Sequence, residues 1–208
     1  MQKLKNKRWI TCTTELVKNT PIMDLKRKHC VHSHDKNRRH SFYVIESPAW
    51  CNIVPITEDG KIVLVRQFRI GINEETLEIP GGVVDRSDKN PKATAIRELL
   101  EETGYAPIKG AKILDLGWTH SNPAIFNNKT YAYAVGPVRK IKPQSLDVGE
   151  ILRVVEMQID KIPKLISSEK IAHALILIGF FKLMLESKQG AKALVQSLSA
   201  LKQIPHRF

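Results

Sequence analysis

Cysteine is scarce in this sequence, and its shortage argues against a disulfide-stapled or zinc-binding protein. The three cysteines, Cys12, Cys30 and Cys51, are odd in number and widely spaced, and none belongs to a CxxC pair. Disulfide frameworks use even numbers of patterned cysteines, and structural zinc sites use closely spaced pairs. The sequence therefore predicts free thiols in a reducing compartment, the cytoplasm.

Long apolar runs are also missing, which argues against a membrane-spanning protein. The longest run, 171–185, contains His173 and Lys182 and is shorter than the roughly 20 apolar residues that cross a bilayer as a helix. It predicts a buried helix. The basic residues that follow Met1 are not followed by an apolar segment, so no secretory signal is expected.

The rest of the composition is that of a globular protein with excess charge at its ends. The chain has 208 residues, 42% hydrophobic and 26% charged, which fits one domain with extensions. Of the net charge of +12, much comes from residues 1–42, with eleven lysines and arginines against three acids, and from the four basic residues after Glu186. A basic chain favours nucleotides, nucleic acids or membrane surfaces as partners. Charge that only keeps the protein soluble explains the excess equally well.

The order of the apolar segments predicts an α+β fold in three parts. Residues 1–46 form a small β element, in which the polar run 29–40 is an exposed hairpin loop. Residues 47–186 form the main domain, and residues 187–208 form a basic tail. Within the main domain, predicted strands cover 52–57, 61–69, 76–79, 111–117, 130–135 and 152–157, and predicted helices cover 159–166 and 172–186.

One further helix is marked clearly at both ends. Asn90 is a suitable N-cap, and Pro91 suits the first helical position because its missing N–H has no partner to lose there. Gly104 is the expected stop, since glycine readily adopts the left-handed backbone that ends many helices. Between them, apolar residues recur at helical spacing.

Three glutamates on this helix carry the chemistry of the sequence. Glu98, Glu101 and Glu102 are spaced i, i+3 and i+4, so they share one helix face, where like charges repel. Two of them are also close to the helix C-terminus, where the dipole disfavours negative charge. An acidic, solvated helix face would explain these glutamates taken alone. The preceding Pro-Gly-Gly strand end, which lets backbone approach a ligand, favours a bound cation instead. Oxygen ligands of this kind suit Mg²⁺ or Mn²⁺.

The same segment resembles a known family. Residues 97–105, RELLEETGY, match the second half of the Nudix box, REUxEExGU with U apolar, and Gly82 matches its opening glycine. The segments LEIPGG (77–82) and VRQFR (65–69) look like the LExPAG lead-in and the VxQxR strand of ADP-ribose and nucleotide-sugar pyrophosphatases. HSNPA (120–124) and LDVGE (146–150) resemble loops of the same branch. The resemblance spans residues 45–185, approximately.

The resemblance implies a fold, an activity and an assembly. The implied fold is a Nudix-type α/β/α sandwich with a mixed β-sheet, preceded by the small N-terminal β element. The implied activity is Mg²⁺-dependent pyrophosphohydrolysis of a nucleoside diphosphate linked to another moiety, ADP-ribose or a nucleotide sugar, giving a nucleoside monophosphate and a sugar phosphate. Members of this branch commonly form homodimers, in which the N-terminal element crosses to the partner.

The resemblance also assigns roles to individual residues. It makes Glu98, Glu101, Glu102 and the carbonyl oxygen of Gly81 the metal ligands. It makes Glu98 and Glu102 catalytic, with Arg97 orienting the glutamates and Glu150 as the base. It makes Arg69, Arg66, Glu78 and Asn122 the substrate contacts. Three of these roles have plain alternatives: Glu150 as an exposed loop acid, Arg66 as a solvated strand residue, and Glu78 as a brace of its loop.

The sequence departs from the family pattern at one position. The family places a glutamate six residues after the opening glycine and eight before the arginine. Here the residue six positions after Gly82 is Asp88. It lies nine residues before Arg97, so the loop is one residue longer than in the family pattern. Either Asp88 substitutes for the glutamate or Lys89 occupies its place.

Two rival functions follow from these observations. The same chemistry could act on a dinucleoside polyphosphate, coenzyme A or capped RNA. The LEIPGG and HSNPA segments disfavour these substrates, whereas the basic termini are compatible with RNA. The second rival is a nucleotide-binding regulator that has lost catalysis, which only the departure at Asp88 supports.

Overall fold

The computed structural model describes residues 8–190, 192 and 193. Most of the predicted basic tail, from residue 194 onward, lies outside the described residues. The chain divides into two compact units by its internal contacts. Of the described residues, the first contains those before Trp50 together with Thr119–Thr130, and the second contains Trp50–Trp118 and those from Tyr131 onward.

The first unit is built on a three-stranded antiparallel sheet of β1 (Trp9–Asn19), β2 (Asp24–His32) and β3 (Asp35–Glu46). The prediction that the polar run 29–40 is a loop is wrong. β2 continues to His32 and β3 begins at Asp35, so the turn between them holds only two residues. Polarity misled the prediction, because β1 and the first half of β3 are exposed on both faces, so a strand here can consist of consecutive polar residues.

The second unit is built on a larger sheet, in which five strands follow the order β10-β5-β4-β9-β8, with β6 paired to β5 and β7 paired to β4. Its strands are β4 (Trp50–Thr57), β5 (Lys61–Arg69), β6 (Glu74–Glu78), β7 (Gly81–Val83), β8 (Tyr105–His120), β9 (Lys129–Lys140) and β10 (Leu152–Gln158). Its helices are α1 (Pro91–Thr103), α2 (Ile162–Ser167), which a 3-10 turn at Ile159–Lys161 precedes, and α3 (Ala174–Leu185).

Helices cover this sheet on both faces. Along β4, Ile53 packs in the core that contains α1, whereas its neighbour Val54 packs in the core that contains α2 and α3. The same alternation sends Val63 to the first core and Leu64 to the second. Because successive strand residues point to opposite faces, a sheet buried on both faces needs continuous apolar runs. The fold is thus the α/β/α sandwich with a mixed sheet that the sequence predicts.

The helix signals in the sequence are confirmed at both ends of α1. The side chain of Asn90 accepts a hydrogen bond from the Ala93 N–H, and Gly104 has φ 75° and donates its N–H to the Leu100 carbonyl. Strand lengths were predicted less well. The predicted strand 111–117 is part of β8, which begins at Tyr105, directly after the helix stop.

Cys12, Cys30 and Cys51 are free thiols, as predicted. Among the described residues, no helix combines the length and apolarity needed to cross a membrane.

Candidate active site

Helix α1 places two glutamates against the protein core. Ala95 and Leu99 are fully buried between the helix and the sheet. Glu98 and Glu102 flank this apolar stripe and are only 9% and 3% exposed. Glu101 lies on the outer side, with a side chain that is 37% exposed. The i, i+4 spacing therefore produces a buried carboxylate pair with one more accessible carboxylate beside it.

Strand β7 brings backbone to within contact of this pair. The Gly81 N–H donates to Glu102 Oε2 over 3.0 Å. At Gly82, a Cβ atom would lie 2.2 Å from Glu98 Oε1, closer than any real contact. The Pro-Gly-Gly strand end therefore lacks side chains where the two carboxylates approach the main chain.

Positive charge compensates the buried pair only in part. Burial raises the pKa of Glu98 to about 7 and outweighs the ion pair with Arg97, which acts to lower it, and the negative charges of Glu101 and Glu150 raise it further. Burial raises the pKa of Glu102 to about 8, against the opposing effect of the Gly81 N–H. Buried carboxylates need a cation or a proton to offset desolvation. A divalent ion with a preference for oxygen ligands fits this need.

In the described part of the chain, no three His, Cys, Asp or Glu side chains are already grouped as metal ligands. The Arg97 guanidinium contacts one glutamate of the buried pair and the more accessible glutamate beside it. Its Nη1 lies 2.7 Å from Glu101 Oε2 and 3.0 Å from Glu98 Oε1. The predicted orienting arginine thus contacts two of the three glutamates.

Asp88, and not Lys89, faces the motif arginine. Arg97 donates to both Asp88 oxygens, at 3.0 and 3.3 Å, and the Thr94 hydroxyl donates to Asp88 as well. The hydrogen bonds from Arg97 hold the pKa of Asp88 below its usual value. Lys89 is exposed. At the position where the family glutamate is missing, this chain therefore has a carboxylate that anchors Arg97.

The loop after β9 attaches to the end of α1 and leads to Glu150. The Ser145 N–H donates to the Glu101 carbonyl over 2.8 Å, and the Ile141 N–H donates to the Gly104 carbonyl over 2.9 Å. Glu150 closes this loop, because its side chain accepts from the Asp147 N–H. Its charge contributes to the raised pKa values of Glu98 and Glu102, so the predicted base lies close enough to influence both.

The predicted substrate contacts separate into three environments. Arg69 forms a two-point ion pair with the buried Glu78. Arg66 is more exposed and lies 3.8 Å from Glu75 across the β5–β6 pair. Asn122 belongs to the first unit, where its side chain accepts from the Ala124 N–H. Its part in substrate binding stays a prediction.

A sequence profile of the NUDIX domain matches residues 48–175. This chain is a Nudix hydrolase. ADP-ribose pyrophosphatase of Bacillus subtilis is 28% identical to it over 132 residues, 63% of this chain and 69% of that protein. Methanol dehydrogenase activator of Bacillus methanolicus is 27% identical over 144 residues, 69% of this chain and 76% of that protein. The crystal structure of an ADP compounds hydrolase shares the fold, with a TM-score of 0.73, 19% identity, and coverage of 85% of this chain and 92% of that one.

Sequence reasoning about this Nudix hydrolase missed two features of the site. His173 donates to Glu78 across 95 residues of sequence, and no local pattern marks such a distant pairing. Gln144 donates its side-chain amide to the Glu102 carbonyl; the only available signal was the position of Gln144 in the loop that leads to Glu150.

Proposed function

We propose that this Nudix hydrolase is a Mg²⁺-dependent pyrophosphohydrolase that cleaves ADP-ribose or a nucleotide sugar into a nucleoside monophosphate and a sugar phosphate. The observation that carries the proposal is the buried carboxylate pair Glu98 and Glu102 beside the Gly81–Gly82 backbone, whose charge Arg97 compensates only at Glu98. The name of the Bacillus subtilis relative supports the substrate class.

Glu98, Glu101, Glu102 and the Gly81 carbonyl would hold the metal. When bound, Mg²⁺ neutralises charge on the diphosphate and lowers the pKa of a coordinated water. Arg97 fixes the glutamate rotamers through its contacts with Glu98, Glu101 and Asp88. Preorganised groups of this kind act by positioning and charge stabilisation, which dominate phosphoryl transfer.

Arg69 is the candidate phosphate contact. Its ion pair with Glu78 holds the guanidinium in place, and arginine recognises phosphate oxygens through two parallel N–H groups. Arg66 is a weaker candidate, because Glu75 lies beside it on the exposed surface.

A substrate screen tests the proposal directly. Purified protein is incubated with ADP-ribose, nucleotide sugars, NADH, dinucleoside polyphosphates and capped RNA, each with Mg²⁺ or with EDTA, and the products are identified by mass. The expected result is Mg²⁺-dependent release of AMP from ADP-ribose, or of the matching monophosphate from a nucleotide sugar. Preferential cleavage of capped RNA or dinucleoside polyphosphates would contradict the substrate class, and no cleavage at all would contradict catalysis.

Glu150 is the proposed general base, and its replacement separates proton transfer from metal binding. Glu150→Gln is expected to lower kcat about 100-fold, since a positioned base contributes roughly this much or more. The stabilisation of the protein by Mg²⁺ in thermal melts should be retained. Asp147→Asn, an exposed acid in the same loop, is the matched control and should keep wild-type kcat. An unchanged kcat in Glu150→Gln would show that Glu150 only holds the loop in shape and is not the base.

The N-terminal sheet is the proposed homodimer element. β1 is an edge strand, and its side chains Ile10, Leu16 and Val17 are 45%, 55% and 44% exposed. Unpaired edges with apolar side chains favour pairing with another chain. Light scattering is expected to give the mass of two chains; the mass of one would contradict the assembly. The free thiols support placing this assembly in the cytoplasm.

A further inference from the structure

The guanidinium of Arg69 is held on one edge only. Its Nε and Nη2 atoms each donate to one oxygen of Glu78 over 2.8 Å. A guanidinium carries five N–H groups, so the edge formed by Nη1 and the second N–H of Nη2 has no hydrogen-bond partner in the described part of the chain. Such a free edge matches two oxygens of a phosphate.

Arg69 lines a cleft of about 430 Å³ together with Ile72, Thr76, Glu78 and His173. The arginine side chain is 33% exposed, whereas that of Glu78 is 3% exposed. The arginine is therefore the accessible charge of this cleft, and the glutamate lies behind it.

Glu78 has no capacity left for a ligand. Its Oε1 accepts from Arg69 and from the Thr76 hydroxyl, and its Oε2 accepts from Arg69 and from His173 Nδ1 at 3.1 Å. Four hydrogen bonds use the lone-pair sites of a carboxylate. Burial alone would raise the pKa of Glu78, yet the hydrogen bonds from Arg69 and His173 outweigh burial and hold this pKa well below its usual value. Glu78 is thus a brace for Arg69 rather than a ligand contact.

The hydrogen bond from His173 reaches Glu78 from a third part of the fold, outside the two strands that carry Arg69 and Glu78. Arg69 ends β5 and Glu78 ends β6, two strands that pair directly. His173 precedes α3, and its carbonyl accepts from the N–H groups of Ile176 and Leu177 in the first turn. The His173 backbone is therefore fixed at the helix start, and its ring reaches the Glu78 carboxylate from there, opposite the two strands.

We propose that His173 is a positioning residue that acts through Glu78 on Arg69, keeping the free guanidinium edge directed at a diphosphate ligand. This inference rests on the proposed function only for the identity of that ligand. Without His173, Oε2 of the buried Glu78 loses one of its two donors, a loss that favours rotation of the carboxylate toward another partner. Rotation would release the two-point grip on Arg69 and leave the arginine free to adopt several rotamers.

A double-mutant cycle tests whether His173 works through Arg69. The affinity of magnesium ADP and of magnesium pyrophosphate is measured by calorimetry for wild type, His173→Ala, Arg69→Ala and the double variant. His173→Ala is expected to weaken binding about 10-fold in the wild-type background and less than about 2-fold when Arg69 is absent, since residues in one network are not additive. His173→Asn keeps a side-chain N–H and should recover part of the loss. Lys170→Ala, an exposed residue of the same segment, is the matched control and should bind as wild type.

Each outcome decides the inference. An equal loss in both backgrounds, or no loss in His173→Ala, would overturn it, as would a wild type that binds neither ligand. Coupled binding without hydrolysis of any substrate in the screen would keep the inference and reject the proposed function. Circular dichroism melts identify variants that fail to fold; if His173→Ala is one of them, the cycle is run with His173→Phe, which keeps ring volume and removes the donor.

Discussion

Glu102→Gln is expected to abolish measurable hydrolysis, with a fall in kcat of about 1,000-fold or more, equivalent to about 4 kcal/mol of transition-state stabilisation. Glu102 is a proposed metal ligand that is 3% exposed and fixed by the Gly81 N–H. The amide keeps the size of the side chain and an acceptor for that N–H, but it removes the charge that holds a divalent ion. Steady-state kinetics over a range of Mg²⁺ concentrations measure the loss, and wild-type kcat at saturating Mg²⁺ would refute the assignment.

The same substitution is expected to stabilise the metal-free protein. Because burial raises the pKa of Glu102 to about 8, its charged form opposes folding as the pH rises from the ordinary carboxyl value toward 8. A neutral amide removes this penalty, a gain of about 1–3 kcal/mol in the free energy of unfolding at pH 8. At pH 4, where both the folded and unfolded carboxyls are largely protonated, the gain should nearly vanish. Urea denaturation in EDTA at the two pH values measures it; a variant less stable than wild type at pH 8 would contradict the buried-charge argument.

Gly81→Ala is the second substitution with a large expected effect, on both stability and activity. An added Cβ would lie 2.2 Å from the Cys51 carbonyl oxygen and 2.4 Å from Asn52 Oδ1, and a backbone atom of a central strand cannot move aside. The variant should lose about 2–4 kcal/mol of stability through overpacking and strain. It should also lose most hydrolysis, because the displaced strand carries the N–H that fixes Glu102.

Gly71→Ala is the matched control for this glycine. A Cβ at Gly71 meets nothing within 4 Å, and its backbone is not left-handed, so its denaturation midpoint should be within error of wild type. Equal midpoints for wild type, Gly71→Ala and Gly81→Ala would show that the strand end tolerates a side chain.

The helix α1 and its glutamates could be predicted from the sequence because all the residues that determine them lie in one continuous segment. The Asn90 cap, the Gly104 stop and the i, i+3, i+4 glutamates depend on neighbours within a few residues, and helical periodicity converts their spacing into a shared face. The motif match then extends from the helix to the preceding strand end, and the family assignment confirms it.

The non-local part could not be predicted from a single sequence. His173 reaches Glu78, and Gln144 reaches the end of α1, across 95 and 42 residues of chain. Which loop folds against which strand depends on the packing of the whole sheet. The prediction of a loop at residues 29–40 was wrong for a related reason. Polar residues predict contact with solvent, but they do not exclude a β-strand.

The attachment of the 141–145 loop to α1 affects how well ordered the proposed metal-binding turn is. Glu101 and Glu102 occupy the last turn of a helix, the part that ordinarily frays because its carbonyl groups lack partners. Here the carbonyls of Glu101, Glu102 and Gly104 accept from Ser145, Gln144 and Ile141. These hydrogen bonds stabilise a helix end that would otherwise fray. Shortening the loop is therefore expected to disorder the side chains of Glu101 and Glu102, although it removes none of the proposed substrate contacts.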